Sequence, residues 1–526
     1  MNGLKTTILL VVSIVLDAFI WYLWQPPMNF SSPSFWWFVI TSIAIIAAAL
    51  LVAGWEDDVL LPAGIAGSIV AIAFIIWLIG ACFSGGLFNA KLMSNLLDVE
   101  ITSFEAEFEN VNWDTVPQID HASSSILGAR KMGTLVEEVS QYNVAENYTL
   151  INQNGKPTRV APLVYASVFK YFNNKYQGIP GYITVNCVEK TAEFVRLEKG
   201  IQYSPSACFG KDLNRHLRSL FPGQLFDEFS FEIDDEGIPY WVVPTYTYSC
   251  GIGGGKTPNG CIVCDPITGA ADFYTMDKIP EWIDHAVDDD TVVNLIKWWG
   301  IYQDGWWNSW VSQRNVKQAT EGNNFVTIGN DVYLYTGITS VALDESNIGF
   351  ILVNQRTAEA RYFEMPSAEE YSAMDSAKGQ VQHLNYTSTF PILINLNGEA
   401  VYYLSLKDAA GLVKMYALVS VEDIQKLAVT DSTMGIDYLV EQYSKSSSSI
   451  QIADGETQTA TIDITSIYTC VIEGNTQYYF QDANGNVYMT DITKSVKLPV
   501  YSAGDKVTIT YSATNVEKYF SIVTIE

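Results

Sequence analysis

Residues 250–260 read CGIGGGKTPNG. A glycine-rich loop ending in Gly-Lys-Thr is the pattern that wraps nucleotide phosphates. That pattern needs a glycine where this chain has Cys250, and a helix directly after the lysine, because the helix N-terminus supplies the N–H groups that hold the anion. Here Thr257 is followed by Pro258-Asn259-Gly260, a turn signal, and then by the apolar run CIVC. With the β-rich YWVVPTYTYS upstream, the stretch is expected to be a hairpin and not a phosphate cradle.

Thiol chemistry is the second option. The seven cysteines are Cys82, Cys187, Cys208, Cys250, Cys261, Cys264 and Cys470. Cys250 and Cys261 bracket the loop, and a disulfide is expected between them if they face each other across the two strands in an oxidising compartment. Cys261 and Cys264 have the spacing of a redox pair or half a zinc site. On a strand, however, side chains three apart point to opposite faces, redox pairs need a helix N-terminus, and zinc needs a second ligand pair.

The four histidines, His121, His216, His285 and His383, show no metal-ligand spacing, and no nucleophile elbow occurs. His216 sits in the basic helical stretch RHLR and reads as a surface contact. The acidic runs 234–236 and 288–290 abut turns and read as solvated loops. A carboxylate pair facing across a cleft would escape a linear reading. The expectation is therefore no catalytic residue, no cofactor and no metal. Trp298, Trp299, Trp306, Trp307 and Trp310 crowd one segment and offer an aromatic surface for sugars or for a membrane interface. The alternative, and the favoured one, is that they fill a core.

The elements that position these residues begin in a membrane. Apolar stretches at 7–24, 35–54 and 60–83 each approach or exceed the span of a bilayer core. Trp21, Trp24, Trp36 and Trp37 flank the first loop as an interfacial belt does. Asp17 lies mid-span with no basic partner in the other two stretches, and is expected to make a polar helix–helix contact. Lys5 before the first span weakly favours a cytoplasmic N-terminus, which puts the large C-terminal region outside. Acids outnumber bases 58 to 30, a net charge of -28, so nucleic acid is not expected as a partner.

Beyond the spans a pattern recurs: YITVNCVEKTAEFVRL from Tyr182, CIVCDPITGAADFYTM from Cys261, FILVNQRTAEARYFEM from Phe350, and a looser copy, AVYYLSLKDAAGLVKMYALVSV, from Ala400. Each is an apolar strand, an Asn or Asp opening a turn, and a second strand. Ser123 to Ser125 are expected to cap a helix before the first copy. A polar serine-rich linker precedes an all-β end with an Asn484-Gly485 turn. The expected organisation is a three-helix anchor (1–90), a helical linker (91–145), two pairs of α+β modules with antiparallel sheets (146–290 and 291–440), the linker (441–455) and a small five-stranded OB-like barrel (456–526).

VCDPITGAADFY resembles the turn of PepSY-type modules of bacterial envelope proteins. The stretch 119–421, with RHLRSLFP, FEIDDEGIPYWVV, IPEWID, YLYTGITSVALDESNIGFILVNQRT and LKDAAGLVKMYALV, is similar to a group of bacterial membrane proteins of unassigned function. That resemblance implies no activity and no catalytic residue. The expected function is that of a membrane-anchored, non-enzymatic envelope protein that binds another envelope protein or copies of itself. A protein that binds or hydrolyses cell-wall polysaccharide, and a transport accessory subunit centred on Asp17, are the alternatives.

Overall fold

The computed structural model describes residues 2–53, 60–340, 346–446, 458–472, 475–495, 497–513 and 518–525. The acidic loop between the second and third apolar stretches, and the serine-rich linker from residue 447 on, lie outside the described residues. The chain forms two compact units, Met1–Val440 and Glu441–Glu526.

Three helices open the first unit: α1 (Asn2–Trp24), α2 (Pro33–Ala53) and α3 (Leu60–Phe83). All three are long and apolar enough to cross a membrane. A short helix, α4 (Gly86–Ser94), follows α3 after a two-residue break. The linker expected to be helical also holds a strand, Val99–Thr102, and the helix His121–Gly133. That helix is capped by Asp120, which accepts from the Ser123 amide at 3.0 Å. The expected serine cap thus lies one turn inside the helix, because a carboxylate just ahead of it reaches the free amides first.

The rest of the unit repeats one plan four times. Each copy is a helix, a short strand or bridge, and a four-stranded antiparallel meander. The meanders run Thr149–Gln153 to Thr191–Ile201, Ser230–Ile233 to Ala271–Thr275, Asn324–Ile328 to Ala360–Ala368, and Ile392–Leu396 to Leu427–Asp431. Their helices are His121–Gly133, Leu213–Leu220, Asp289–Ile301 and Glu370–Gln380. The second strand of each meander also pairs, at its far end, with a piece of chain that follows the helix: Tyr142–Val144, the bridge at Leu225, Lys317–Ala319 and Thr387–Ser388.

The recurring Asn or Asp does the same work in every copy. The Oδ1 atoms of Asn186, Asp265, Asn354 and Asp408 accept backbone N–H groups two to four residues ahead, at 2.7–3.2 Å. This is an Asx turn, which replaces backbone hydrogen bonds that the chain reversal removes. Alternation within the strands buries Val160, Ile183, Phe231, Trp241, Val243 and Ile262 in one core shared by the first two meanders. Val292, Leu295, Ile296 and Trp299 of the third helix pack on Leu334, Ile351, Val353 and Tyr362.

The second unit is a six-stranded sheet. Its two outer strands, Gln458–Asp463 and Ser466–Ile472, are separated only by Ile464 and Thr465. The expected five strands become six through that interruption. Phe480, Tyr488, Val507, Ile509 and Ile522 form its core. Asp482 accepts from the Asn484 and Asn486 amides and builds the turn around Gly485.

Candidate functional site

A polar cleft of about 380 Å³ runs between the first two meanders and the strand Asn324–Ile328. It gathers residues far apart in sequence: His121, Arg159, Glu228, His285, Asp288 and Asp289. Asp288 caps the helix Asp289–Ile301. Its two carboxylate oxygens take the Thr291 amide at 2.8 Å and the Thr291 hydroxyl at 2.6 Å. Lys256 reaches Asp288 at 3.3 Å and Asp227 at 3.6 Å. Loss of water, then the charges of Glu228, Asp288 and Asp290, push Asp289 up to about 7. Its side chain still reaches solvent, so the crowding of like charge is the cause to build on.

Beneath this rim the ionisable groups are buried. Glu232, with no exposure, accepts the Asp284 amide at 2.9 Å and the His285 amide at 3.2 Å. Asp284 accepts the Asn152 amide at 2.7 Å. His285 Nε2 bonds the Leu150 carbonyl at 2.6 Å. Arg159 donates to the Tyr148 carbonyl at 3.0 Å. Burial pushes Glu232 up to about 7 and lowers His285 to about 4; burial, then the charge of Glu232, raises Asp284 well above its ordinary value. These residues stitch the first meander to the second and to the loop that starts the third helix. No linear spacing announces them, because their partners are backbone groups of other modules.

The residues singled out from sequence fall elsewhere. Residues 250–260 belong to a hairpin of Pro239–Tyr248 and Lys256–Cys264, but the reversal is at 249–255. Pro258-Asn259-Gly260 lies inside the second strand, where the register shifts between Thr245 and Tyr246. The register opposes Cys261 to Pro244 on one side and to Tyr274 on the other, while Cys250 sits in the loop. Four residues of strand, about 13 Å, and then two of the loop separate Cys250 from Pro244, the position facing Cys261. The expected disulfide is therefore corrected: both thiols are free and buried. Cys261 and Cys264 enter different cores, as strand alternation requires.

The glycine loop packs against α3 and the connection between α1 and α2. The Gly253 amide donates to the Ser31 carbonyl at 3.0 Å. A side chain on Gly254 would stand 2.2 Å from the Ser84 carbonyl oxygen, and one on Gly80 would strike Ile252. Glycine serves here to let a loop approach α3, not to wrap a phosphate.

The five tryptophans do not form one surface. Trp299 is buried (8% exposed), packed at 5.4 Å between ring centroids on Tyr362, and follows the favoured core reading, not the surface one. Trp298 is half-buried against the same core. Trp306 stacks on Trp310 at 6.2 Å, and Trp307 and Trp310 stand out, 67% and 71% exposed. Their turn packs against α4. Asp17 lies against Ser42 of α2, where Asp17 Oδ1 and Ser42 Oγ are both buried without a hydrogen-bond partner. His216 Nε2 bonds the Gly269 carbonyl at 2.7 Å.

No family model matches the chain, and no curated protein matches it. Among solved structures, Trypanosoma rangeli sialidase in complex with the inhibitor DANA is 9% identical, with a TM-score of 0.14, over 73% of this chain and 54% of that one. The chain thus spans about half the length of that neighbour, and a likeness of this size carries no argument.

Proposed function

We propose that this chain is a membrane-anchored, non-enzymatic envelope protein that works by binding a protein partner or copies of itself. One observation carries the reading. The outer strand of the third meander, Ala360–Ala368, is completed in parallel by Val99–Thr102 from the segment after α4. Among the described residues, the outer strands of the other three meanders, Thr191–Ile201, Ala271–Thr275 and Leu427–Asp431, have no such partner. A fold that already accepts an added strand at one copy of an edge offers the same edge three more times. Glu193, Arg196, Glu198 and Lys199 on the longest of these edges favour a charged partner strand over indiscriminate aggregation.

The four-copy plan and its Asx turns support kinship with PepSY-type modules. In the second unit, one nearly continuous segment supplies both outer strands, and Val487–Asp491 pairs in parallel with Tyr519–Ile525. That arrangement supports an OB-like barrel. The reading also places the modules outside the cytoplasm.

Chemical crosslinking of the full chain in mild detergent tests the proposal. The expected result is oligomers or a captured partner whose crosslinks map to 191–201, 271–275 or 427–431. Monomer alone, in detergent and in membranes, overturns it. A second reading, hydrolysis of a wall polymer, draws on Asp289: a carboxyl raised to about 7 near a second carboxylate, Glu228, is what glycoside hydrolysis uses. Release of reducing ends from wall polysaccharide, lost in Asp289→Asn, would favour it.

A further inference from the structure

The helix Leu213–Leu220 carries three basic-type side chains in about one turn, Arg215, His216 and Arg218, in a chain of strong negative charge. It docks on the last turn of α1. Asn214 Nδ2 donates to Gln25 Oε1 at 3.0 Å, and the Arg215 guanidinium lies 4.1 Å from the centre of the Tyr22 ring. Between helix and span is a cavity of about 280 Å³, lined by Trp21, Tyr22, Gln25, Arg215, His216 and Arg218 among others, with no carboxylate in its wall.

The two arginines are not spent. Arg215 gives one guanidinium nitrogen to the Phe209 carbonyl, and Arg218 gives one to the Gln224 carbonyl. The Nε atoms of both are buried without a hydrogen-bond partner. Arg218 is only 6% exposed, with its guanidinium 3.9 Å from the Phe226 ring centre. Neither forms an ion pair among the described residues; Asp227, the carboxylate whose charge acts on Arg218, already pairs with Lys256. A buried guanidinium with a free donor is costly unless an anion meets it. His216 is occupied by Gly269 and takes no part.

We infer that this cavity binds the phosphate of an anionic phospholipid. Arg215 and Arg218 supply charge-assisted donors, and the rings of Trp21 and Tyr22 flank the headgroup at the membrane interface. The position fixes the source of the anion. The cavity abuts the end of a helix apolar enough to span the bilayer, and Leu23 beside it is exposed for acyl chains to follow. The inference rests on the three helices lying in a bilayer and is independent of any protein partner.

The test is native mass spectrometry of the full chain with phosphatidylglycerol or phosphatidylcholine, with melting temperature recorded in parallel. Phosphatidylglycerol is expected to be retained at least tenfold more strongly than phosphatidylcholine and to raise the melting temperature. Arg215→Gln, at a half-exposed position, is expected to remove most of that preference while melting normally without lipid. Arg218→Gln should do the same, and if it fails to fold, Arg215→Gln decides alone. Equal retention of the two lipids, or a preference unchanged in Arg215→Gln, overturns the inference. So does equal protection by inorganic phosphate alone, which would make the ligand a free anion.

Discussion

Two loops invite comparison: the glycine loop at 249–255 and the loop at 279–288. The first carries four glycines and runs straight into Lys256-Thr257, an order that suggests phosphate chemistry, yet its work is to bring backbone against α3. The second reads as an ordinary acidic connection, yet it holds His285 and Asp284 in a sealed joint with Glu232. Residue type draws attention to the first. Burial gives chemistry to the second, because only there has water been removed from ionisable groups.

The sharpest way to break the first half of this comparison is to give Gly254 a side chain. Gly254→Ala places a methyl 2.2 Å from the Ser84 carbonyl oxygen and 2.6 Å from that of Cys250, where backbone must move. Overpacking of this kind costs about 1–3 kcal/mol, occasionally more. The expected outcome is a lower melting temperature and protease cleavage within 249–255 in membranes. A phosphate-loop role would instead leave stability intact.

The second loop is sharpened by pH. His285 stays neutral when folded and ordinarily titrates near 6.5 when unfolded, so its contribution is lost as pH falls from 6.5 through about 4. The loss approaches about 3 kcal/mol. Glu232 has the opposite sign. Its folded value of about 7 lies above its unfolded one, so its contribution is present at low pH and lost as pH rises through 7. Between pH 4.5 and 6.5 the two slopes oppose each other. His285→Gln keeps a donor for the Leu150 carbonyl, and should leave a protein whose melting temperature falls as pH rises. Glu232→Gln should give one whose melting temperature falls as pH drops, with a further pH-independent loss of about 1–3 kcal/mol for the mismatched backbone amide. Parallel profiles in both variants would refute this account of the joint.

Legibility from sequence followed the same divide. The Asx-opened hairpins at Asn186, Asp265 and Asn354 were readable because turn and strand signals are local, and the looser copy at Asp408 obeys the same rule. The three apolar spans were readable for the same reason. The first short strand of each meander was not, since four or five residues carry too little alternation to stand out. Pro258-Asn259-Gly260 misled because a bulge and a turn ask for the same residues, and the glycines at 251, 253 and 255 take the positive φ that reverses the chain. The joint around Glu232 left no mark in the sequence. The arginine cavity left a faint one, a cluster of bases in RHLR within an acidic chain.

The smallest expected effect tests the comparison from outside both loops. Trp307 and Trp310 are large, exposed and beside α4, whose Leu87, Phe88 and Leu92 are also exposed. Among the described residues both rings touch Trp306 yet keep most of their surface open, so Trp307→Ala with Trp310→Ala should change the melting temperature in detergent by no more than about 0.5 kcal/mol of stability implies. Trp299→Ala, one helix earlier, should cost about 3–5 kcal/mol, because it empties a core site against Tyr362. If the exposed pair proved as costly as Trp299, the turn would be packed against something the chain itself provides. A negligible cost in detergent, joined to a loss of indole quenching by lipid-attached bromine in the double variant, would place the exposed rings at a bilayer surface and leave the buried one to the fold.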